Sequence, residues 1–408
     1  MTPAFVALLL FAAPDLDVLA QEYLEADAAR RVAIRKELVG HDALTAKQVE
    51  AWQAKLDKWG RKSGRRLPKK KGQHWFYDAQ EKRGKFIVAG SSGKGGLLIA
   101  LHGGGKGSGD AGPAASTFGP IASKLKCVCI APEVLEKTER GWTTSGTEEF
   151  ILELIEAAKK TWKIDPDRVY MAGHSMGGYG SWTVGARHAD LFAGLAPFAG
   201  APTPITSDGK PYGPVVGLAD GVIPNLRNVA LHVYQSTDDV QVPPAPNIFA
   251  NKVVLDWQKD YGGYRYKYVE VDNRGHGAPP GGHIKGVKWV YETARNRRPK
   301  RVLWQPVYLK KQMFYWLWWD QPERGALVDA QIKKPNEIDI DLGGYDRDGF
   351  RVFLDRELVD LDKEVVIREG GDEIYRGVPQ RTLTALLMCA GEKYDPKMMF
   401  PVVIPLKK

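Results

Sequence analysis

Apolar residues recur at intervals of three and four from about Asp15 to Gly60: Leu19, Tyr23, Leu24 and Ala28, then Val32, Ile34 and Leu38, and beyond Gly40 a further run from Thr45 through Trp52 and Leu56. This spacing predicts an N-terminal helical hairpin, followed by a basic linker with Gly and Pro that ends near Gly72. Short apolar runs of strand type then follow quickly: His74 to Tyr77, Lys85 to Val88, Gly96 to Leu101 and Cys127 to Pro132. Further runs start at Val169, Leu191, Val229 and Tyr266. Helical spacing fills the intervals near Pro113 to Lys124, at Glu148 to Trp162 and after Gly178. Strands alternating with helices of this length predict an α/β fold with a doubly wound, mostly parallel sheet of about eight strands.

The texture changes after Arg298-Pro299. Aromatic residues come first, then period-two alternation, as in Glu337-Ile338-Asp339-Ile340-Asp341-Leu342, with turns at Gly343-Gly344, Asp348-Gly349 and Gly370-Gly371. That is the pattern of a smaller antiparallel β domain. The expected division is therefore 1–20 as a signal peptide, 21–72 as helical hairpin and linker, 73–298 as the α/β domain and 299–408 as the β domain. The block Phe314-Tyr315-Trp316-Leu317-Trp318-Trp319 offers either a stacking platform for sugar rings or an aromatic acid, or a thick strand buried between domains. Large aromatics mostly bury area, so burial is the expectation.

The length of 408 residues suits about two domains, and 43% apolar with 26% charged residues is ordinary for a globular chain. The net charge of +9 is partly local, in clusters at Arg61 to Lys71 and Arg295 to Arg301, which are expected to be solvated connecting segments. No recognition motif accompanies the charge, so nucleic acid is not an expected partner. Cys127 and Cys129 share one face of an apolar strand and, with Cys389, make an odd number without zinc spacing. Neither metal nor cofactor is expected. The run Ala4 to Ala13 is too short to span a bilayer and has the form of a signal-peptide core, with Val18-Leu19-Ala20 as a small-residue cleavage site. A secreted or periplasmic protein without an integral membrane segment is expected, the alternative being an N-terminal element packed on the body.

The chemistry centres on Gly173-His174-Ser175-Met176-Gly177, between an apolar strand and a helical run. In that context it reads as a nucleophile elbow. The turn leaves no room for Cβ atoms two positions either side of the serine, and the N–H of Met176 points at any oxyanion formed beside it. A serine hydroxyl needs a base, and the base needs a group to hold its tautomer. Later strand ends supply candidates in order: Asp238 or Asp239 before Pro243, then His276 between two glycines, with His283 as a fallback base. The Gly-rich run His102-Gly103-Gly104-Gly105 is where a second oxyanion donor is expected. It is not a phosphate loop, because Gly107 follows Lys106 where Ser or Thr is required.

LHGGG at 101–105, IDPDRVYMAGHSMGGYGSW at 164–182, DDVQVP at 238–243 and RGHG at 274–277 resemble the α/β-hydrolase superfamily, above all its secreted polyhydroxybutyrate depolymerase, feruloyl esterase and prolyl-oligopeptidase-like branch. The resemblance spans about Gln73 to Arg298. It implies Ser175 as nucleophile, Asp239 as acid and His276 as base, with Met176 and Gly104 or Gly105 as oxyanion donors. Ser236 stands where many relatives carry glycine before the acid. A serine hydrolase of carboxylic esters is the leading expectation, ahead of a peptidase using the same triad and a silent glycan- or partner-binding protein. The motifs do not select the acyl or alcohol group.

Overall fold

A computed structural model describes residues 14–91, 95–144, 146–203 and 222–406. The apolar N-terminal run before Pro14 and most of the 203–224 segment, expected to shape the pocket, lie outside the described residues.

The chain begins with three helices, α1 (Leu16–Glu25), α2 (Ala28–Leu38) and α3 (Ala46–Lys62). The Asp15 and Asp27 side chains cap α1 and α2, while Thr45 and Gln48 form a reciprocal capping box on α3. Strands β1 (Gly72–Asp78), β2 (Arg83–Gly90) and β3 (Leu97–Leu101) lead to α4 (Ala111–Lys124) and β4 (Val128–Pro132). Then come α5 (Thr147–Trp162), β5 (Val169–His174), α6 (Met176–Arg187), β6 (Gly194–Phe198), β7 (Ala230–Ser236), α7 (Ala245–Tyr261), β8 (Tyr266–Val271) and α8 (Ile284–Tyr291).

These eight strands form one sheet in the order β1-β2-β4-β3-β5-β6-β7-β8, antiparallel at β1, β2 and β4 and parallel from β4 to β8. Strands β3, β4 and β6 are buried at every residue, because helices cover both faces and leave no solvent side for polar alternation. Helices α4 and α8 pack on one face; α5, α6 and α7 pack on the other. This is the doubly wound architecture the pattern predicts. α7 carries no prediction, since it buries only Pro246, Asn247, Ala250 and Val254, too sparse a stripe to read.

The remaining chain adds β9 (Arg301–Trp304), β10 (Met313–Phe314), β11 (Leu317–Trp319), β12 (Val328–Lys334), β13 (Glu337–Asp341), β14 (Phe350–Leu354), β15 (Val365–Glu369), β16 (Asp372–Gly377), α9 (Leu383–Glu392) and β17 (Val402–Pro405). They form a four-stranded antiparallel sheet β10-β11-β14-β17 and a five-stranded sheet β16-β15-β13-β12-β9. The second contains a parallel pair, β13 with β15, so this region is not wholly antiparallel as the alternation implied.

Two features of the packing depart from the sequence reading. The helices α1 to α3 wrap α9, burying Leu19, Ala20, Tyr23, Ile34 and Leu56 against Leu383, Leu386 and Leu387. The expected 20/21 boundary thus falls inside α1, and a cut after Ala20 would divide a packed helix. The basic cluster near 295 is also not a solvated connector. Arg295 is fully buried between Asp167 (2.9 Å) and Asp395 (2.7 Å), and Arg298 pairs with Asp355 at 2.6 Å. Burial alone would raise the Asp395 pKa, but Arg295 and Lys159 outweigh it and hold the carboxyl at about 2.

Removing the guanidinium would strand a buried carboxylate. Arg295→Gln is therefore expected to destabilise the fold by about 3–5 kcal/mol in denaturant unfolding at pH 7. A change under about 1 kcal/mol would show the pair to be dispensable. Because the folded pKa is depressed, this stabilisation is present above pH 4 and is lost as pH falls towards 2.

The aromatic block is core. Phe314, Tyr315 and Trp316 have no exposure, and Trp318 and Trp319 only 6% and 2%. The indole of Trp316 donates to the carbonyl of Pro299 (2.8 Å) and the phenol of Tyr315 to that of Ala189 (3.3 Å), so these polar tips are satisfied inside. Burial excludes a stacking platform there.

Candidate active site

Ser175 sits between β5 and α6 with φ +61° and ψ −126°, a conformation that side-chain-bearing residues rarely adopt. The flanking glycines are required by contact. A Cβ on Gly173 would lie 2.3 Å from the Gly177 carbonyl oxygen, and one on Gly177 would lie 2.2 Å from that of Leu101. The N–H of Ser175 donates to the Phe198 carbonyl of the neighbouring strand at 2.9 Å, which anchors the turn to the sheet.

The two later strands deliver the acid and the imidazole. His276 Nδ1 lies 2.8 Å from Asp239 Oδ2, and the Asp239 side chain is wholly buried. Its other oxygen, Oδ1, accepts from the backbone N–H groups of Gln241 and Val242, both at 2.9 Å. Asp238 does different work. Its Oδ1 accepts from the Ser236 hydroxyl (2.5 Å) and from the N–H groups of Arg274 (3.1 Å) and Gly275 (3.0 Å). Asp238 therefore pins the loop that bears His276 and does not touch the imidazole, and Ser236 orients it. The same loop is held by Tyr234, whose hydroxyl donates to the Gly277 carbonyl (3.3 Å), and by Arg274, which reaches the Ala278 carbonyl.

Among the described contacts, no hydrogen bond joins the Ser175 hydroxyl to the His276 ring. His283 is placed away from the acid: its Nε2 lies 3.1 Å from His174 Nδ1, and its ring packs edge-on against Phe118 and Phe198.

The Gly-rich loop is fixed from behind by His102. Its Nδ1 donates to the Gly103 carbonyl at 2.7 Å while its Nε2 accepts from the Val134 N–H at 3.1 Å. Gly103 lies against Ser175; a Cβ there would stand 3.2 Å from Ser175 Cβ. Gly104 follows at φ +147°, and neither its N–H nor that of Met176 donates to another described residue. The N–H of Gly105 turns back to the Ser108 carbonyl at 3.4 Å in a tight bridge. The contact of Gly103 with Ser175 and the partnership of His174 with His283 had no sequence signal beyond the motifs themselves. A cavity of about 320 Å³ opens beside Gly103, bounded by Thr117, Phe118, His174, Ala278 and His283.

The cysteines are free and buried, and burial pushes each thiol up to about 12. Among the described residues no helix is long and apolar enough to cross a membrane.

No family model matches the chain. A stretch of 66 residues, 16% of this chain, is 39% identical to poly(3-hydroxyalkanoate) depolymerase C of Paucimonas lemoignei and covers 16% of that protein. Over 130 residues, 29% of the chain, it is 28% identical to NocK of Nocardia uniformis subsp. tsuyamanensis, provisionally named an esterase, and covers 37% of it. The chain thus spans well under half the length of both curated relatives. Among solved structures it is similar to a thermostable esterase (19% identity, TM-score 0.40, 55% of this chain and 63% of that one) and to a ferulic acid esterase of Anaeromyces mucronatus (18%, 0.38, 55% and 90%).

Proposed function

We propose that the protein is a serine hydrolase of carboxylic esters, exported through its apolar N-terminal run. Ser175 attacks the ester carbonyl as His276 Nε2 takes its proton, and Asp239 holds the imidazole with Nδ1 protonated. The N–H groups of Met176 and Gly104 receive the oxyanion. The same imidazole then activates the water that hydrolyses the acyl-enzyme. The observation that carries this reading is the 2.8 Å pair of buried Asp239 with His276, at the ends of strands β7 and β8, in a chain whose nucleophile turn is strained at Ser175. The open contact between Ser175 and His276 is compatible with it, because catalytic hydrogen bonds often tighten only when substrate binds. The names of the two curated relatives support ester chemistry. The cavity beside Gly103 is walled by neutral and apolar groups, which favours an ester with a compact uncharged arm.

A fluorophosphonate probe is expected to label the purified protein on the peptide containing Ser175. A short p-nitrophenyl acyl ester should be turned over at least about 100-fold more efficiently than the matching anilide. Failure to label Ser175 would reject the serine mechanism, and comparable rates on ester and amide would turn the reading towards a peptidase. Loss of the tagged protein from the exported fraction when Ala4 to Ala13 is deleted tests export, and an unchanged distribution would reject it.

A further inference from the structure

Three histidines from two distant segments are joined behind the elbow. His174 Nε2 lies 3.0 Å from the main-chain carbonyl oxygen of His276. A carbonyl only accepts, so the proton is on Nε2 of His174. Nδ1 of that neutral ring then accepts, and the atom facing it at 3.1 Å is His283 Nε2, which must donate. One carbonyl thus sets the direction of both bonds. Burial, with the nearby His276 charge, lowers the pKa of His174, and burial with His174 lowers that of His283 to about 4, so both rings are neutral at pH 7. His283 is fixed in turn by the edges of Phe118 and Phe198, at centroid distances of 5.3 and 4.7 Å.

We propose that His174 and His283 are positioning residues that set the reach of the His276 imidazole over Ser175, acting as one hydrogen-bonded unit. The inference rests on the reading of His276 as the base. Its physical content is the place of the tether. The other anchors of the 273–278 loop come from Tyr234, Asp238 and Arg274, on the strand and loops that carry the acid and base. His174 is the residue immediately before the nucleophile, and it holds the main chain of the base itself. A bond between these two residues ties the backbone of the base to that of the nucleophile turn and so bears on the distance across which the proton is transferred. Misplacement by about 1 Å can lower a rate by about 100-fold without weakening substrate binding.

The test uses the full-length protein and a short p-nitrophenyl ester. His174→Leu removes the tether and is expected to lower kcat by about 30- to 100-fold with KM within about threefold, on the scale of such misplacements. His174→Gln, whose amide can still donate near the position of Nε2, should recover most of the loss. His283→Leu should lower kcat by about 5- to 10-fold, and the His174→Leu/His283→Leu double variant should be no slower than His174→Leu alone, as for residues in one network. Additive losses, an effect confined to KM, or a glutamine variant as slow as leucine would overturn the proposal. If His174→Leu does not fold, as judged by thermal unfolding, the glutamine and His283 variants carry the test: full activity in His283→Leu would then overturn it. A loss of about 10⁴-fold or more in Ser175→Ala together with wild-type rates in His174→Leu would sink this inference alone. A Ser175→Ala rate within about tenfold of wild type would instead sink the underlying mechanism.

Discussion

Ser175→Ala is expected to lower kcat on a p-nitrophenyl acyl ester by roughly 10⁴- to 10⁶-fold, leaving the residual rate that oxyanion donors and binding alone support. On the scale of 1.36 kcal/mol per decade this is about 5–8 kcal/mol of transition-state stabilisation. The size follows from the geometry. The hydroxyl stands on a turn whose backbone is held at φ +61° by contacts of Gly173 and Gly177 with the neighbouring main chain, so no adjacent group can take its place. The alanine side chain still fits that turn, and thermal stability should change little, because Ser175 is only half-buried and the backbone conformation is kept. A rate within tenfold of wild type in a folded Ser175→Ala protein would end the nucleophile assignment.

The second large effect separates two adjacent carboxylates. Asp239→Asn is expected to lower kcat by about 10⁴-fold, while Asp238→Asn should stay within about tenfold of wild type. In Asp239 one oxygen is already claimed by the N–H groups of Gln241 and Val242. An asparagine must leave its carbonyl oxygen there, which aims its NH₂ at His276 Nδ1. That drives the imidazole into the tautomer with the proton on Nε2, where it cannot accept one from Ser175. Asp238 offers a single oxygen to Ser236, Arg274 and Gly275, and an asparagine oxygen can accept the same bonds. Equal losses in the two variants, or the reverse order, would mean that the hydrogen bond between His276 and Asp239 is not the one used in turnover. Both measurements are kcat at saturating ester near neutral pH, with the folded state checked by thermal unfolding.

The legibility of this chain varies with the range of the interactions involved. The central strands are plain in sequence because burial on both faces leaves nothing but apolar residues, as at Leu97 to Leu101. The elbow is plain because two glycines are demanded by local contact. The pairing of Asp239 with His276 is half legible: order and strand ends locate Asp238, Asp239 and His276, but which carboxylate turns inward depends on backbone donors up to three residues further along. The Gly-rich loop is located by sequence, which leaves Gly104 and Gly105 as alternatives, because the bridge from Gly105 to Ser108 is a matter of loop closure and not of composition. The guanidinium of Arg295 looked like solvated charge because Asp167 and Asp395, which bury it, are about a hundred residues away on either side.

From the sequence alone came the alternation of strands and helices, the count of about eight strands in the sheet, the sharp turn at Ser175 and the order in which Asp238, Asp239 and His276 follow it. These depend on periodicity and on steric demands within a few residues of each other. Only the tertiary structure decided that Asp239 faces His276 while Asp238 braces its loop, that α1 to α3 close over α9, that β13 pairs in parallel with β15, and that His283 reaches His174. Each of those is a contact between segments far apart in the chain, whose partners are chosen by the packed fold and leave no local mark.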